Sequence, residues 1–267
     1  MDEVEELRER VRVLEAENAR LRHSEVENKE KLADVVDSSM NHDSSSPSFQ
    51  GDLKAEHIER YSRQLLINGG FGVEGQLKLL NSSVLVIGAG GIGSTLILYL
   101  AACGIGNLSV VDFDDVDVSN LHRQVIHKTN DVGMNKAESA RRAVENLNPS
   151  ISCKIVKEPL TANNALELIS SHDCIVDASD NPQTRYIIND ACVLSGKPLV
   201  SGSAMGIEGQ LTVYNYNGGP CYRCLYPKPN VKEGNKSCSD NGVLGPVPGL
   251  IGILQAVETI KIITGTE

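Results

Sequence analysis

Apolar and polar positions along this chain fall into runs whose lengths and periods distinguish strands from helices. Short apolar runs rich in β-branched residues predict buried strands of a parallel sheet, whereas longer apolar or amphipathic runs predict helices. On this basis we expect strands over 84–88, 108–111, 151–156, 173–178 and 198–201, and helices over 54–67, 74–81, 95–102, 136–148, 162–170 and 250–263. Pro182 can start one more helix.

One later segment has a different pattern. Residues 209–215 alternate apolar and polar side chains, which is typical of an antiparallel strand with one covered face. Through the first two-thirds of the sequence, strands and helices alternate regularly. That order predicts the α/β fold class, with a doubly wound, mostly parallel, Rossmann-like sheet. In such sheets, ligands bind outside the carboxyl ends of the strands.

The N-terminal part of the chain is organised separately. Apolar residues between 3 and 27 recur at alternating spacings of three and four, as in a coiled coil, with Asn18 at an a position. Only about three heptads are present, so a single solvated helix is an equally good interpretation. We expect a helical extension over 1–36, either a coiled coil or a single helix, a flexible Ser-rich linker over 37–52, and an α/β domain over 53–267.

The segment after the first predicted strand has the features of a nucleotide-binding turn. It reads Gly88-x-Gly90-x-x-Gly93 and leads into an apolar helix, and the second strand ends on Asp112. Glycines let the backbone approach phosphate, a helix N-terminus offers unpaired N–H groups, and the acid can bind ribose hydroxyls. Glycines can also serve helix packing alone, but their combination with both strands and Asp112 favours nucleotide binding.

Three further charged residues distinguish between classes of nucleotide. A redox dinucleotide needs no extra cations, whereas the charge of a nucleoside triphosphate must be neutralised and its Mg²⁺ held by an acid. Arg123 and Lys136 follow the second strand and Asp180 ends the fourth, so these side chains should converge on the glycine turn. Ser94 follows Gly93 where a P-loop would have Lys. Each cation alone could be a surface charge; together with Asp180 they favour ATP and Mg²⁺.

The cysteines indicate a reducing compartment rather than a disulfide framework. Seven are present, and four of them (Cys103, Cys153, Cys174 and Cys192) lie inside or directly next to predicted helices or strands. Cys221 and Cys224 form a CxxC pair, which is half of a tetrahedral zinc site, with a redox dithiol as the alternative. Cys238 lies in a glycine- and proline-rich loop, where a thiol can be a nucleophile or an incidental surface group.

Length and charge exclude several other functions. The 267 residues, 40% of them hydrophobic, suffice for one large α/β domain with an appendage. A formal net charge of −10 argues against DNA or RNA as a partner. No apolar run of roughly 18 residues lacks polar interruption, and the N-terminus is charged, so we expect no membrane span, no signal peptide and a cytoplasmic location.

Eight motifs, in the same order, resemble those of the enzymes that activate ubiquitin-like proteins. They are most similar to the adenylyltransferases that serve molybdopterin synthase and transfer-RNA thiolation. The likeness extends over about residues 55–265. The motifs are RYSRQ (60–64), GAGGIGS (88–94), DFDDVDVSNLHRQ (112–124), Lys136, DASDN (177–181), GQLTVY (209–214), CYRCLYP (221–227) and SCSDNGVLGPVPG (237–249).

The resemblance implies a reaction between ATP and a ubiquitin-like sulfur-carrier protein that ends in Gly-Gly. The terminal carboxylate of the carrier attacks the α-phosphate, which gives an acyl-adenylate and pyrophosphate. By the same resemblance, Arg123 and Lys136 stabilise the phosphates and Asp180 positions Mg²⁺. Arg63 is offered to the other subunit of a homodimer, and Cys238 bonds to the carrier. The nucleotide contacts implied are Gly88, Gly90, Gly91, Gly93, Asp112, Ser119, Asn120, Leu121, His122, Arg123, Lys136, Asp180 and Asn181.

The sequence also departs from the family pattern. Cys221 and Cys224 match the first zinc pair of the family, but no second CxxC follows, which leaves Zn²⁺ with half of its ligands. The rhodanese-like domain of the eukaryotic members is also missing, and with it the step that involves a persulfide-donating cysteine desulfurase. We therefore interpret the α/β domain as C-terminally truncated, and expect adenylation without sulfur transfer. The alternatives are a non-catalytic partner subunit of a heterodimeric activating enzyme and, less favoured, an NAD-dependent oxidoreductase.

Overall fold

The computed structural model describes residues 52–228 and 242–266. The predicted N-terminal extension, most of the linker and Cys238 lie outside these residues. The chain divides into two units, residues 1–74 and residues 75–267. The described part of the first unit contains helix α1 (Ala55–Leu65) and the start of α2 (Gly72–Asn81), which continues into the second unit.

The second unit is built on a single six-stranded sheet. Its strands are β1 (Ser83–Ile87), β2 (Asn107–Val111), β3 (Ser152–Val156), β4 (Cys174–Asp177), β5 (Leu199–Met205) and β6 (Glu208–Tyr214). They lie in the order β3-β2-β1-β4-β5-β6, with all neighbours parallel except β5 and β6. The predicted mostly parallel, Rossmann-like sheet is confirmed, and its order reverses between β1 and β4, where such sheets bind ligands.

Helices connect and cover the strands of this sheet. They are α3 (Gly91–Cys103), α4 (Lys136–Leu147), α5 (Ala165–Ser170), α6 (Pro182–Ser195), the single turn α7 (Tyr222–Leu225) and α8 (Pro246–Thr264). The sequence predicts all of these except α7. It starts α8 too late, at Leu250, because the prolines before that residue resemble a helix boundary. Proline is tolerated in the first turn of a helix, where backbone N–H groups lack partners anyway.

The core lies on both faces of the central strands, as a parallel sheet requires. Leu85 and Val86 of β1, and Ile175 and Val176 of β4, are fully buried. α3 and α8 pack against each other very closely, because a Cβ on Gly252 of α8 would overlap the Ile92 carbonyl oxygen. This contact brings the beginning of α8 to the glycine turn.

α8 is the one helix of the described residues that is long and apolar enough to cross a membrane. It also lies against protein, since Ile251, Gln255, Ala256 and Thr259 are buried. The core helix of a globular domain meets the same criteria of length and composition, so this feature carries little weight as a sign of a membrane.

Candidate functional site

The glycine turn between β1 and α3 has two kinds of glycine. Gly88 has a φ of +102°, and a Cβ there would lie 2.6 Å from the Ala178 carbonyl oxygen of the neighbouring strand end. A Cβ on Gly93 would overlap the Gly88 carbonyl oxygen. These two positions therefore need glycine for close packing. Gly90 and Gly91 differ, because only the side chains of other residues approach them.

The N-terminus of α3 is open, which means that no side chain caps it. Gly90 precedes the helix, and within the described residues the N–H groups of Gly90, Gly91 and Ile92 have no acceptor. The first N–H groups of a helix have no partner inside it, and together with the helix dipole they favour an anion. The geometry fits the phosphate-binding turn expected from the sequence.

Asp112, at the end of β2, is tied to this turn. Its Oδ2 accepts a hydrogen bond from the Ala89 N–H at 2.7 Å, and its Oδ1 accepts one from the Asp114 N–H at 3.0 Å. Burial raises the pKa of Asp112, although both hydrogen bonds and the charge of Lys136 oppose that shift. Each carboxylate oxygen can accept a second hydrogen bond, so the residue can hold the turn and still bind a ribose hydroxyl.

Lys136 opens α4 and is only 6% exposed. Its Nζ donates to Asp114 Oδ2 at 2.7 Å, and its backbone N–H donates to the Asp114 carbonyl at 2.8 Å. Lysine is rarely buried without a partner, and here the carboxylate of Asp114 compensates the charge of the Lys136 ammonium. The sequence pattern predicts that this ammonium binds phosphate. The Asn135 side chain fixes the same loop by donating to the carbonyls of Asp112 and Asp114.

Arg123 lies beside the glycine turn, since its Cγ is 3.5 Å from the Cβ position of Gly91. Its guanidinium donates to Asn120 Oδ1 at 2.7 Å and to the Ser119 carbonyl at 3.3 Å. These contacts fold the loop after the 3-10 turn Val118–Asn120 onto itself. The same loop holds two further predicted contact residues, Leu121 and His122.

The turn that follows β4, residues 178–181, contains Asp180 and is called the Asp180 turn. Ala178 lies against Gly88, and Asp180 follows two residues later in an exposed position. Within the described part of the chain, its carboxylate has no hydrogen bond or ion pair. Asn181 caps α6, because its Oδ1 accepts the Thr184 N–H at 2.9 Å. A free carboxylate two residues from a strand end that contacts the glycine turn is suited to hold Mg²⁺ on a phosphate.

A buried ion pair supports this turn and was missed by the sequence reasoning. Asp177, at the end of β4, is fully buried, and Arg185 Nε of α6 donates to its Oδ2 at 2.8 Å. Ser201 Oγ donates to the same oxygen, and Ser179 donates to Oδ1 through both N–H and Oγ. An aspartate inside an apolar strand was the available signal, because a buried carboxylate needs a partner.

Gln124 is a second residue that sequence reasoning missed. It is buried beside Gly90, with its Nε2 3.6 Å from the Cβ position of that glycine. Its Oε1 has no hydrogen-bond partner among the described residues. A buried amide oxygen without a donor is costly, so the site offers one more polar group than the protein itself uses.

Cys221 and Cys224 lie at the start of α7 with their Sγ atoms 3.6 Å apart. A tetrahedral zinc site with Zn–S bonds of about 2.3 Å separates two sulfurs by about 3.8 Å, so the pair fits one edge of such a site. Burial raises the pKa of Cys221, but hydrogen bonds from Cys224, Arg223 and Asn189 outweigh it and lower the pKa. The described residues contain no group of three or more potential metal ligands, so the pair supplies two ligands at most.

Thiol labelling separates these two cysteines from the buried ones. With iodoacetamide at pH 8, we expect fast labelling of Cys221 and Cys224 in the native chain and almost none of Cys174 and Cys192. The first two are reachable, whereas burial raises the pKa of Cys174 to about 12 and also raises the pKa of Cys192. Mass spectrometry of the digested chain measures each site, and a denatured sample is the control. Equal labelling of all four in the native chain would contradict this fold.

Two predicted catalytic residues are not among those of the site just described. Arg63 belongs to α1, in the unit of residues 1–74. Cys238 lies outside the described residues. The roles assigned to both remain predictions.

An open helix N-terminus at the point of strand reversal, with an acid at the end of the second strand, defines a class: nucleotide-binding α/β proteins of the Rossmann type. The comparison with known families is more specific. Residues 61–267 match the model of the ThiF family, and the chain belongs to that family.

Curated relatives agree with this assignment. The chain is 52% identical to the adenylyltransferase and sulfurtransferase MOCS3 of Arabidopsis thaliana, over 94% of this chain and 56% of that protein. It is 58% identical to MOCS3-1 of Zea mays, over 80% of this chain and 46% of that protein. The chain thus spans about half the length of the curated relatives it matches and covers only their ThiF part.

Solved structures agree on the fold. PaaA superposes with a TM-score of 0.69 at 24% identity, over 90% of this chain and 74% of that one. E. coli MccB in complex with AMPCPP and MccA gives a TM-score of 0.65 at 26% identity, over 81% of this chain and 66% of that one. The first likeness concerns the fold alone; the second is to a protein that was solved with an ATP analogue.

Proposed function

We propose that this chain is an adenylyltransferase that couples AMP to the C-terminal glycine of a ubiquitin-like sulfur-carrier protein. The carrier we expect is the small subunit of molybdopterin synthase, the modifier of transfer-RNA thiolation, or both. One observation carries the proposal: the open N-terminus of α3 lies beside Arg123, and the unpaired carboxylate of Asp180 follows two residues after Ala178, which contacts Gly88 of the same turn. The names of the curated relatives support it.

The geometry suits the binding of a triphosphate. The Gly90 and Gly91 N–H groups bind phosphate oxygens, and Asp112 accepts hydrogen bonds from the ribose. The Arg123 guanidinium, held by Asn120, contacts the phosphates, and the Lys136 ammonium is shared between Asp114 and phosphate. Asp180 would hold Mg²⁺, which would supply positive charge to neutralise the phosphates.

In the proposed reaction, a carboxylate oxygen of the carrier forms a bond to the α-phosphorus, and the bond to the bridging oxygen of pyrophosphate breaks. No proton needs to move, because the carboxylate attacks in its ionised form. Negative charge spreads over the phosphate oxygens in the transition state. The preorganised cations and N–H groups stabilise that charge without rearranging, and in many enzymes this stabilisation contributes most of the rate enhancement.

The finer assignments belong to the proposal as well. We expect a homodimer in which Arg63 serves the site of the partner subunit, and thiol chemistry at Cys238 after adenylation. Zn²⁺ at Cys221 and Cys224 needs ligands from elsewhere. Sulfur transfer from a cysteine desulfurase requires a segment like the remaining half of the curated relatives, and we do not expect it from these 267 residues alone.

Ligand-dependent stabilisation tests the class of nucleotide. We expect ATP with Mg²⁺ at 100 times its Kd to raise the free energy of unfolding by about 2.7 kcal/mol, because it binds only the native state. NAD at the same concentration should leave the unfolding transition unchanged. Thermal unfolding followed by circular dichroism measures both. Stabilisation by NAD and not by ATP would instead favour an oxidoreductase.

Exchange of labelled pyrophosphate into ATP tests the reaction itself. Exchange should require both the chain and a carrier that ends in Gly-Gly, and a carrier without its last glycine is the matched control. A chain that binds ATP and still gives no exchange with either proposed carrier would favour the non-catalytic partner subunit.

A further inference from the structure

His127 is a buried histidine that the proposed reaction does not use. It lies in the connection between β2 and α4 and is 6% exposed. Its Nε2 is 2.9 Å from the carbonyl oxygen of Ala89, in the middle of the glycine turn. Its Nδ1 is 2.9 Å from Ser139 Oγ, which also contacts Asp131 Oδ2 at 2.9 Å. A chain of hydrogen bonds therefore runs from α4 to the glycine turn.

The direction of the bond to Ala89 follows from chemistry. A carbonyl oxygen can only accept, so His127 Nε2 must carry the hydrogen. This holds whether the ring is neutral or protonated, and whichever way the hydroxyl of Ser139 points. His127 is thus a donor that Ser139 and Asp131 hold in place from the opposite side of the ring.

The Ala89 carbonyl belongs to the same peptide unit as the Gly90 N–H. The described residues contain no cis peptide, and in a trans peptide the C=O and N–H bonds point in opposite directions. The bond to His127 therefore directs the Gly90 N–H away from the histidine, towards the side on which no described residue accepts it. Asp112 fixes the preceding peptide through the Ala89 N–H.

This orientation matters because glycine limits its own backbone very little. A peptide that precedes Gly90 could rotate so that its carbonyl, rather than its N–H, faced the site. A carbonyl oxygen in that position would repel a phosphate instead of binding it. The buried Ala89 carbonyl would also lose its donor, at a cost typical of an unsatisfied group.

We propose that His127 is a positioning residue for phosphate binding, which holds the Ala89–Gly90 peptide so that the Gly90 N–H faces a phosphate of ATP. The inference rests on the ATP binding in the proposed function and adds a residue that itself contacts no part of the nucleotide. The same side chain has no reason to affect the binding of adenosine, which lacks phosphate and relies on Asp112.

Three substitutions test this role: His127→Gln, His127→Asn and His127→Leu. The amide nitrogen of Gln can reach the position of Nε2, whereas that of Asn reaches only as far as Nδ1. We expect the Kd for ATP with Mg²⁺ to rise about tenfold or more in the Leu and Asn variants, as expected for a lost hydrogen bond to a charged group. In the Gln variant it should rise no more than about threefold. The Kd for adenosine should stay unchanged in all three variants.

Isothermal titration of the 267-residue chain measures both affinities. An unchanged Kd for ATP in the Leu variant overturns the proposal, and so does a Gln variant that is as weak as Leu. Equal losses for ATP and adenosine also overturn it, because they indicate general damage to the fold. If the Leu variant does not fold, the comparison of Gln with Asn decides in the same way. Failure of pyrophosphate exchange by a wild-type chain that binds ATP refutes only the proposed reaction, since this test measures binding.

Discussion

Replacing Asp180 with Asn is expected to lower carrier-dependent pyrophosphate exchange by about 100-fold or more, because removing one electrostatic contribution of this kind typically costs that much. The amide is a poor ligand for Mg²⁺ and carries no charge. The exposed carboxylate has no partner within the described residues, so the substitution removes no internal contact. The free energy of unfolding should therefore change by less than about 0.5 kcal/mol.

Two controls make this result specific. Glu167→Gln removes the same charge from an exposed position on α5, and it should leave exchange unchanged. Cys238→Ala should also leave exchange nearly intact, because the acyl-adenylate forms before any thiol reacts. Loss of exchange in the Cys238 variant would show that our division of roles is wrong. Full activity of the Asp180 variant would remove this residue from the proposed mechanism.

The order of the elements was predictable from the sequence because local signals mark each one. β1 is an apolar, β-branched run that ends at a glycine, and α4 begins at Lys136 directly after the capping residue Asn135. Parallel order then follows from the alternation of strands and helices, since each crossover needs a helix. The meeting of Gly88 with Ala178 at one edge of the sheet follows in turn, because the carboxyl ends of parallel strands share an edge.

The hydrogen bonds and ion pairs between separate elements were not predictable from the sequence, because they depend on how distant elements pack. The Lys136 ammonium looked available for phosphate, but its position at the start of α4 brings it onto Asp114. His127 had no motif to mark it, and its contact with Ala89 depends on the path of the whole connection between β2 and α4. Such contacts join residues far apart in sequence, and the periodicity of apolar positions does not predict them.

Replacing Arg185 with Met is expected to cost about 3–5 kcal/mol of unfolding free energy, because it leaves a buried carboxylate without its counter-charge. Asp177 is fully buried and the Arg185 side chain is 15% exposed. The same guanidinium donates to the Gly202 and Ser179 carbonyls at 3.1 and 3.3 Å, so it also joins β5 to the Asp180 turn. Urea unfolding of both chains measures the loss.

Arg223→Met is the matched control for this loss. Arg223 forms a bidentate ion pair with Asp190, with contacts of 2.6 and 2.7 Å, and its guanidinium lies 4.6 Å from the centre of the Tyr186 ring. Both side chains of the pair are more than 40% exposed, so we expect a cost of about 1 kcal/mol, near the upper end for exposed pairs. Arg185→Lys should fall between the two, since one ammonium cannot reach the carboxylate and both carbonyls. Equal costs at Arg185 and Arg223 would mean that burial does not set the value of the Asp177 pair. The pair would then no longer explain how the Asp180 turn is held against the glycine turn.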